Sequence, residues 1–478
     1  MRAKRIGASF QWGLFLRRLA AIAIPVALQN LLTTTASMID TMMVAPLGEL
    51  SVGALGLCAQ YSSLMFSGYW GFVGGGMLFF AQYWGAKDDD GIDRSYGMTW
   101  ACMMTVAAVF GCLAIFAPGL IMRVYTDKEA IQTIGVQYLR IVGFAYFMQV
   151  CAMAMSSLLR ATERVRIPML ASIASVATNL SLNWVFIYGK LGFPAMGIRG
   201  AALATVCAAV VNMLALYLMG HLTRYPYLFH VRAHFRWSRA HLKTYFTKCF
   251  PIICNEVLIG VGNMIINITL GRQPEHVIAA LAVFRTLEGL VIGFFAGFAN
   301  AASVLVGKCV GAGELDTAYE RAKRLVYLCS GVIAAVGLAV FSVRRPVLTA
   351  MSLSGESYAA GVRLLGIYLV VAVIRMGNWI QNDTYRASGD AVTGTVLEIV
   401  FMYAMVLPCV LLTGFVLKLP YWAIFLCCYI DEPIRYVLMQ IHLYSSRWIR
   451  PVTEQGEAAL PSFREKHPAG RRVLPFGG

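Results

Sequence analysis

The sequence has little charge, and acidic residues are the scarcer kind. Asp, Glu, Lys and Arg make up 13% of its 478 residues, with 24 Asp and Glu against 40 Lys and Arg. Soluble domains carry about 25% charged residues. Since 59% of the residues are hydrophobic, a water-soluble globule would lack the charge to cover its surface, and a disordered chain would be far less apolar. The composition therefore indicates a polytopic membrane protein.

Clusters of cysteine or histidine are also lacking. The 12 cysteines and 7 histidines are scattered, with no CxxC pair and no compact spacing of zinc ligands. No catalytic constellation is apparent, so we predict no metal site, no cofactor and no enzymatic activity. A net charge of +16 would suit nucleic acid only on a basic face of a soluble domain. No nucleic-acid partner is therefore predicted.

Long apolar runs dominate what is present. A membrane-spanning helix needs about 20 mainly apolar residues, and twelve such runs occur, joined mostly by short connections. They lie near residues 19–44, 52–84, 95–122, 132–158, 167–189, 198–220, 245–270, 276–307, 322–343, 358–385, 391–417 and 420–445. We predict an all-α fold of twelve transmembrane helices.

The basic residues divide unevenly between the two sides of the membrane. If the runs alternate in direction, 27 Lys and Arg fall on the side of both termini and 8 on the other side. Cytoplasmic loops carry the excess of Lys and Arg, so we expect both termini in the cytoplasm and a multi-pass protein of the bacterial plasma (inner) membrane. Segment 1–18 is predicted to be amphipathic, 221–244 a basic cytoplasmic linker, and 449–478 a disordered cytoplasmic tail.

The two halves of the chain resemble each other at a constant offset of 226 residues. Matching positions include Pro25 and Pro251, Gly71-Phe72 and Gly297-Phe298, Gly85-Ala86 and Gly311-Ala312, and Arg160-Ala161 and Arg386-Ala387. Each unit holds six runs, an even number, so the halves are parallel repeats related by a pseudo-two-fold axis along the membrane normal. We predict an N-lobe at 19–220 and a C-lobe at 245–448, which can rock to open alternately to each side.

Several motifs resemble the multidrug and toxic compound extrusion (MATE) family. They are the segment 37–48, SMIDTMMVAPLG; 82–88, QYWGAKD; 159–161, LRA; 179–183, NLSLN; and 192–205, GFPAMGIRGAALAT. The resemblance implies export of organic cations or amphipathic drugs by a monomer in exchange for protons or, as the less favoured alternative, sodium. Membrane lipids would be its other partners. A further alternative is a flippase of lipid-linked oligosaccharide, or of another amphipathic lipid, from the same superfamily.

Asp40 is the first candidate for coupling transport to an ion. It lies deep in an apolar run. A charged carboxylate inside a membrane costs free energy, so an acidic residue there is first considered as a functional one. Such a group can take up a proton on one side and release it on the other. The structural alternative is an aspartate satisfied by the hydroxyls of Thr33, Thr34 or Ser37. The resemblance places Asp40 at the family's N-lobe cation site.

Asn179 and Asn183 are the second candidates. Their spacing of four places both amides on one face of the fifth span, where they can contact Asp40 or serve as polar contacts between helices. Some family members carry an aspartate where this chain has Asn183, so the resemblance leaves one carboxylate in this site. It also implies, weakly, that Thr205 is a hydroxyl ligand on the sixth span.

In the C-lobe, Glu256 matches the family's acidic coupling residue. The related bacterial branch carries an aspartate where counting back from the Arg-Ala motif reaches Arg375. A cation at this position would repel sodium and could instead pair with Glu256, so we favour protons over sodium; the sequence leaves the pairing itself open. Arg285 and Glu288, three residues apart, are predicted to neutralise each other on one helix face, with contact to substrate as the alternative. Four more charged residues predict a local network near the last span: Glu398, Asp431, Glu432 and Arg435.

Overall fold

The computed structural model of the chain describes residues 11–351 and 354–468. Its regular structure in that part of the chain is helical, which confirms the predicted fold class. Eleven helices there are long and apolar enough to cross a membrane. They are α1 (Trp12–Val44), α2 (Glu49–Ala86), α3 (Asp89–Phe116), α4 (Glu129–Ala161), α5 (Arg166–Tyr188), α6 (Ile198–Leu222), α7 (Arg239–Leu270), α8 (Glu275–Gly311), α9 (Leu315–Ser342), α10 (Gly355–Ala387) and α11 (Thr393–Val416).

The twelfth span, α12, is interrupted. It consists of two shorter helices, Tyr421–Cys427 and Glu432–Tyr444, separated by a turn. Pro433 follows the turn and occupies the first turn of the second helix, where its missing N–H would be unsatisfied in any case. Broken helices in membrane proteins are tolerated where they line a cavity. The break therefore places Asp431 and Glu432 at a candidate internal site.

The two halves meet through glycines that obey the pseudo-two-fold. A side chain at Gly85 of α2 would collide with the backbone carbonyl of Lys308 in α8, and one at Gly311 of α8 would collide with that of Gln82 in α2. The two contacts are equivalent under the 226-residue offset, which relates Gly85 to Gly311 and Gln82 to Lys308. Gly71 against Ile253 and Gly297 against Ala27 form a second exchanged pair. Glycine is needed here because two helix backbones touch.

Both ends of the described chain lie on one face, here called the terminal face. The guanidinium of Arg324 lies 5.2 Å from the ring centre of Trp12, and Lys466 pairs with Asp316 at 2.9 Å. Both partners are near the start of α9. Lys308 of the C-lobe also pairs with Glu163 of the N-lobe at 2.5 Å. The glycine contacts and this ion pair hold the lobes together in the half of the molecule next to the terminal face.

The prediction of a disordered tail at 449–478 is wrong for residues 454–466. Glu454–Lys466 form a helix, α13, which begins after Thr453 accepts a hydrogen bond from Gly456 N. Trp448 and Phe463 are buried and anchor the segment. Gln455 Nε2 donates to Ala86 O at 3.1 Å, so the tail contacts the N-lobe. Apolar anchors offset the polar composition on which the prediction rested; residues 469–478 lie outside the described residues.

The amphipathic segment 1–18 is also partly visible. Residues 12–18 form the first turns of α1, so the first helix begins earlier than the predicted run, and residues 1–10 lie outside the described part of the chain. The linker 221–244 contains a short helix, Val231–His234. It docks on α3 through His230 Nδ1 and Asp93 Oδ2, 2.8 Å apart. The linker is therefore packed onto the N-lobe.

Candidate coupling and substrate site

Asp40 of α1 faces α5, the helix that carries the two amides predicted to contact it. Asn183 Nδ2 donates to Asp40 Oδ1 at 2.7 Å. In the amide orientation that satisfies both groups, Asn179 also donates to Asp40 Oδ1 at 2.6 Å. Both amides come from successive turns of α5 and are buried. The predicted convergence of Asp40, Asn179 and Asn183 is therefore present in the structure.

Within the described residues, Asp40 takes part in no ion pair. Its neighbouring hydroxyls are used elsewhere, since Thr33 donates to Gln29 O at 3.1 Å and Ser37 to Thr34 O at 2.8 Å, both within α1. Asp40 is thus supported by neutral donors. A carboxylate of this kind can lose its charge without leaving a buried cation unpaired.

Thr205 does not join this group through the hydrogen bond that it makes. Its hydroxyl donates to Ala201 O at 3.0 Å, one turn earlier in α6. That bond satisfies the hydroxyl within its own helix, as Ser and Thr commonly do. Thr205 also has a side-chain hydrogen bond with Tyr138, which in turn interacts electrostatically with Asp40. The ligand role that the resemblance implied for Thr205 stays a prediction.

The pair of Arg375 and Glu256, which the sequence left open, does not form. Arg375 Nη1 donates to Glu288 Oε1 at 2.5 Å, whereas Glu256 Oε1 lies 3.4 Å from Arg386 Nη1. Glu288 projects from α8 towards α10 and is therefore nearer to Arg375 than Glu256 of α7 is. The i, i+3 pair of Arg285 and Glu288 is present at 2.7 Å, as predicted. Glu288 is therefore shared between two guanidiniums.

Eight charged side chains continue this pairing through the C-lobe. They come from α7, α8, α10, α11 and α12 and include three members of the network predicted near the last span. The fourth member, Asp431, lies 3.7 Å from Arg435. Their successive contacts are Arg285–Glu288 2.7 Å, Glu288–Arg375 2.5 Å, Arg375–Glu432 3.9 Å, Glu432–Arg435 2.7 Å, Arg435–Glu398 3.6 Å, Glu398–Arg386 4.0 Å and Arg386–Glu256 3.4 Å. Each buried charge in this chain has an opposite charge beside it, which compensates for desolvation.

A cavity of about 460 Å³ lies between the lobes. The N-lobe contributes Asn30, Trp70 and Arg160 to its lining, and the C-lobe contributes most of the charged chain. The lining contains five arginines and five acidic residues. Such a cavity, apolar in part with a few convergent charges, is the usual form of a small-molecule site. Asp40 is not part of this lining, so the group formed by Asp40 and its amides is separate from the cavity.

Sequence reasoning missed a polar cluster that the repeat places in both lobes. In the N-lobe, Arg160 Nη2 donates to Gln29 Oε1 at 2.8 Å, and Gln29 Nε2 donates to Ser172 Oγ at 2.7 Å. At the equivalent positions of the C-lobe, Asn255 Nδ2 donates to Glu398 Oε2 at 3.0 Å, and Arg386 lies beside Glu398. The 226-residue offset could have revealed this cluster, because Arg160 and Arg386 are matched by it as part of the two Arg-Ala pairs.

Two parallel six-helix lobes with a charged cavity between them are the architecture of a secondary transporter. The MatE family model matches the chain twice, at residues 25–185 and 251–411. The two matched segments are displaced by the 226 residues read from the sequence, which supports the predicted duplication. The chain belongs to the MatE family, the multidrug and toxic compound extrusion transporters, as its motifs predicted.

Relatives of known name cover most of the chain at low identity. The uncharacterized transporter YisQ of Bacillus subtilis is 22% identical over 415 residues, which is 86% of this chain and 90% of the relative. The probable multidrug resistance protein YoeA of the same organism is 23% identical over 402 residues, 82% and 85% of the two chains. Their extent along the chain shows that both lobes take part in the similarity.

The fold also matches solved structures. An outward-facing conformation of a multidrug resistance MATE family transporter of the MOP superfamily aligns with a TM-score of 0.80 at 18% identity. The alignment covers 91% of this chain and 97% of the other chain. At this identity the likeness shows the fold alone. It confirms the prediction of twelve transmembrane helices in two lobes.

Proposed function

We propose that this protein exports amphipathic organic cations and drugs from the cell in exchange for protons. The observation that carries the proposal is Asp40, a carboxylate in a membrane-spanning helix that only neutral amides support. A structural acid in a membrane is normally paired with a cation. An unpaired one that can be neutralised suits a group that binds and releases a proton during each cycle. The relatives named for multidrug resistance support the substrate class.

The coupling follows from a difference between two states of the carboxylate. The charged form needs the amides of Asn179 and Asn183, whereas the neutral form tolerates an apolar surrounding. Protonation of Asp40 therefore favours a second arrangement of α1, in which this side chain has moved away from the amides of Asn179 and Asn183. A ligand shifts such an equilibrium only by its differential affinity for the two states. One proton bound in one state and released in the other supplies that difference.

Protons are favoured over sodium by the orientation of the amides. Sodium, a hard cation, requires several oxygen ligands directed at one point. Here Asn183 turns its nitrogen, not its oxygen, towards Asp40. The site thus offers one carboxylate surrounded by hydrogen-bond donors, and this arrangement suits an anion that is to be protonated.

A flippase for lipid-linked oligosaccharide is the less favoured candidate. Its pyrophosphate would require a strongly cationic cavity. The lining in this chain holds as many carboxylates as guanidiniums. That balance favours amphiphiles that carry positive charge over a multiply charged anion.

The orientation proposed for the molecule has both termini in the cytoplasm. The excess of Lys and Arg on the terminal side supports it, and so does the common face on which both described ends lie. Arg236→Cys, at an exposed position in the linker, would be labelled by a membrane-impermeant maleimide only after cell lysis. Labelling of intact cells above the level of the parent protein would reverse the orientation.

The coupling proposal is tested in proteoliposomes with ethidium, a permanent cation. We expect an imposed proton gradient to drive ethidium transport and a sodium gradient of equal size to leave it at the level of empty vesicles. Asp40→Asn should reduce proton-driven transport to that background level. Ile266→Val, at the repeat-equivalent position of the C-lobe, is the matched control and should keep wild-type activity. Transport driven by sodium, or retained by Asp40→Asn, would contradict the proposal.

A further inference from the structure

One part of the cavity presents an excess of positive charge. Arg285 of α8 and Arg375 of α10 both line the cavity, and they share a single carboxylate, that of Glu288. The exposed fraction is 41% for the Arg285 side chain and 29% for Arg375, but only 4% for Glu288. A ligand in the cavity would therefore meet two guanidiniums, with the carboxylate covered behind them.

The two guanidiniums are fixed in place. Arg285 Nη2 donates to Asn267 Oδ1 at 3.2 Å, and the guanidinium of Arg375 lies 5.2 Å from the ring centre of Tyr429. The hydroxyl of Tyr429 donates to Glu288 Oε1 at 3.2 Å. Because a guanidinium presents a planar fork of donors that matches a carboxylate, two that are already held in place lose little entropy when they bind one.

The other part of the cavity has the opposite charge. Glu256, Asp383 and Glu398 all line it, with exposed fractions of 24%, 22% and 25%, and one guanidinium, Arg386, lies among them. Arg375 and Asp383 are eight residues apart on α10, which corresponds to about 12 Å along the helix axis. The cavity is thus bipolar over the length of a drug-sized molecule.

We propose that Arg285 and Arg375 form a subsite for the carboxylate of a zwitterionic amphiphile whose cationic group lies at the acidic end beside Glu256, Asp383 and Glu398. This inference rests on the proposed export function and specifies its substrate class. It goes beyond recognition of cations because it assigns separate positions to the two charges of one molecule.

A purely structural role explains the arrangement less well. One guanidinium would suffice to neutralise Glu288, and a second one inside a membrane-spanning region adds cost. Arg375 also lies 3.9 Å from Glu432, but that carboxylate is closer to Arg435, at 2.7 Å. The side chains of Glu288 and Glu432 are only 4% and 6% exposed, so an anionic group in the cavity would meet the guanidiniums before either carboxylate.

The experiment uses two dyes that differ in one charge. Rhodamine B has a free carboxylate and is zwitterionic, and its ethyl ester has the same ring system but is a cation. Binding of each dye to the purified wild-type protein and to the Arg285→Gln variant is measured by fluorescence anisotropy. Transport of each dye is measured in proton-loaded proteoliposomes. Arg285 is chosen over Arg375 because Glu288 keeps Arg375 as a partner when Arg285 is neutralised. Arg345→Gln removes an exposed positive charge outside the cavity and serves as the matched control.

We expect Arg285→Gln to weaken binding of rhodamine B about tenfold and to leave binding of the ester unchanged. Arg285→Lys should recover part of the loss, and Arg345→Gln should behave like the wild type. Equal losses for both dyes would indicate a structural role and overturn the inference, as would a wild-type protein that binds only the ester. Selective binding of rhodamine B without transport of either dye would instead retain the subsite and contradict the export function.

Discussion

The two lobes share one duplicated scaffold but carry their charges at different positions. In the N-lobe, Asp40 is supported by Asn179 and Asn183. The 226-residue offset places apolar or weakly polar residues at the same points of the C-lobe, namely Ile266, Met405 and Cys409. The C-lobe therefore has no counterpart of the coupling candidate, although the helices that would hold it are present.

The converse holds for the C-lobe charges. Glu256, Asp383 and Glu398 correspond to Asn30, Ser157 and Ser172 in the N-lobe. The arginine of the Arg-Ala match is retained in both, as Arg160 and Arg386. Around it, the N-lobe offers the neutral side chains of Gln29 and Ser172, and the C-lobe offers carboxylates.

This difference indicates a division of labour after duplication. Among the described residues the N-lobe acid has no cation partner, so it can change its protonation state at moderate cost. The C-lobe acids are held by guanidiniums, and neutralising any one of them would leave a buried positive charge uncompensated. The N-lobe thus suits coupling, and the C-lobe suits a fixed pattern of charge for recognising a substrate.

The largest expected effect on stability is that of Glu288→Gln. It leaves Arg285 and Arg375 without their shared carboxylate and should destabilise the protein by about 3 kcal/mol. Thermal unfolding in detergent measures this as a lowered melting temperature. Asp40→Asn, which removes a charge that no guanidinium compensates, should change stability by less than about 1 kcal/mol. If both variants lost equal stability, the contrast between the lobes would fail.

An exchange of equivalent residues gives the next largest effect. Glu398→Ser gives the C-lobe the residue of the N-lobe and deprives Arg386, Arg435 and Asn255 of a partner, so we expect a loss of about 2 kcal/mol. Ser172→Glu makes the reverse change beside Arg160, which has no carboxylate of its own among the described ion pairs. That variant enlarges a buried side chain but also gives Arg160 a carboxylate, so we expect a smaller loss than for Glu398→Ser. Thermal unfolding compares the two, and a greater loss for Ser172→Glu would contradict the interpretation.

Asn183→Ala tests the neutral support of Asp40. It removes one hydrogen bond to a charged acceptor, worth about 1.5 kcal/mol, and should lower ethidium transport about tenfold at a fixed proton gradient. Cys409→Ala, at the equivalent place in the C-lobe, is the matched control and should transport normally. A similar decrease in both variants would mean that packing, rather than support of the carboxylate, explains the result.

The smallest effect concerns the tail, which contacts both lobes. Gln455→Ala removes the hydrogen bond to Ala86 O and should loosen the tail by roughly 0.5–1 kcal/mol. Hydrogen exchange of the amides in α13 would then be about threefold faster. Glu457→Ala, an exposed position on the same helix, should leave the exchange rates unchanged. Faster exchange in both variants would show that the hydrogen bond of Gln455 is not what holds the tail in place.

Two of the contacts predicted for the site join neighbours within one helix. Asn179 and Asn183, like Arg285 and Glu288, are brought together by the helical repeat, so spacing sufficed to place them side by side. The partner of Arg375 could not be obtained in this way. It depends on whether α7 or α8 faces that side of α10, and the structure places Glu288 there. The prediction of a disordered tail was wrong for a related reason. Trp448 is buried in a pocket that forms only when α10 and α12 pack together.

The amino-acid sequence alone was enough to predict the membrane location, the twelve spans and the duplication, and to single out Asp40 as a candidate. These properties depend on apolar length, on internal similarity and on the cost of a lone carboxylate in a membrane, all of which are local or additive along the chain. The charged chain of the C-lobe and its bipolar cavity were decided by tertiary structure. In a medium of low dielectric constant a buried charge is stabilised by the nearest opposite charge, and which group is nearest is set by how five separate helices are rotated and tilted against one another.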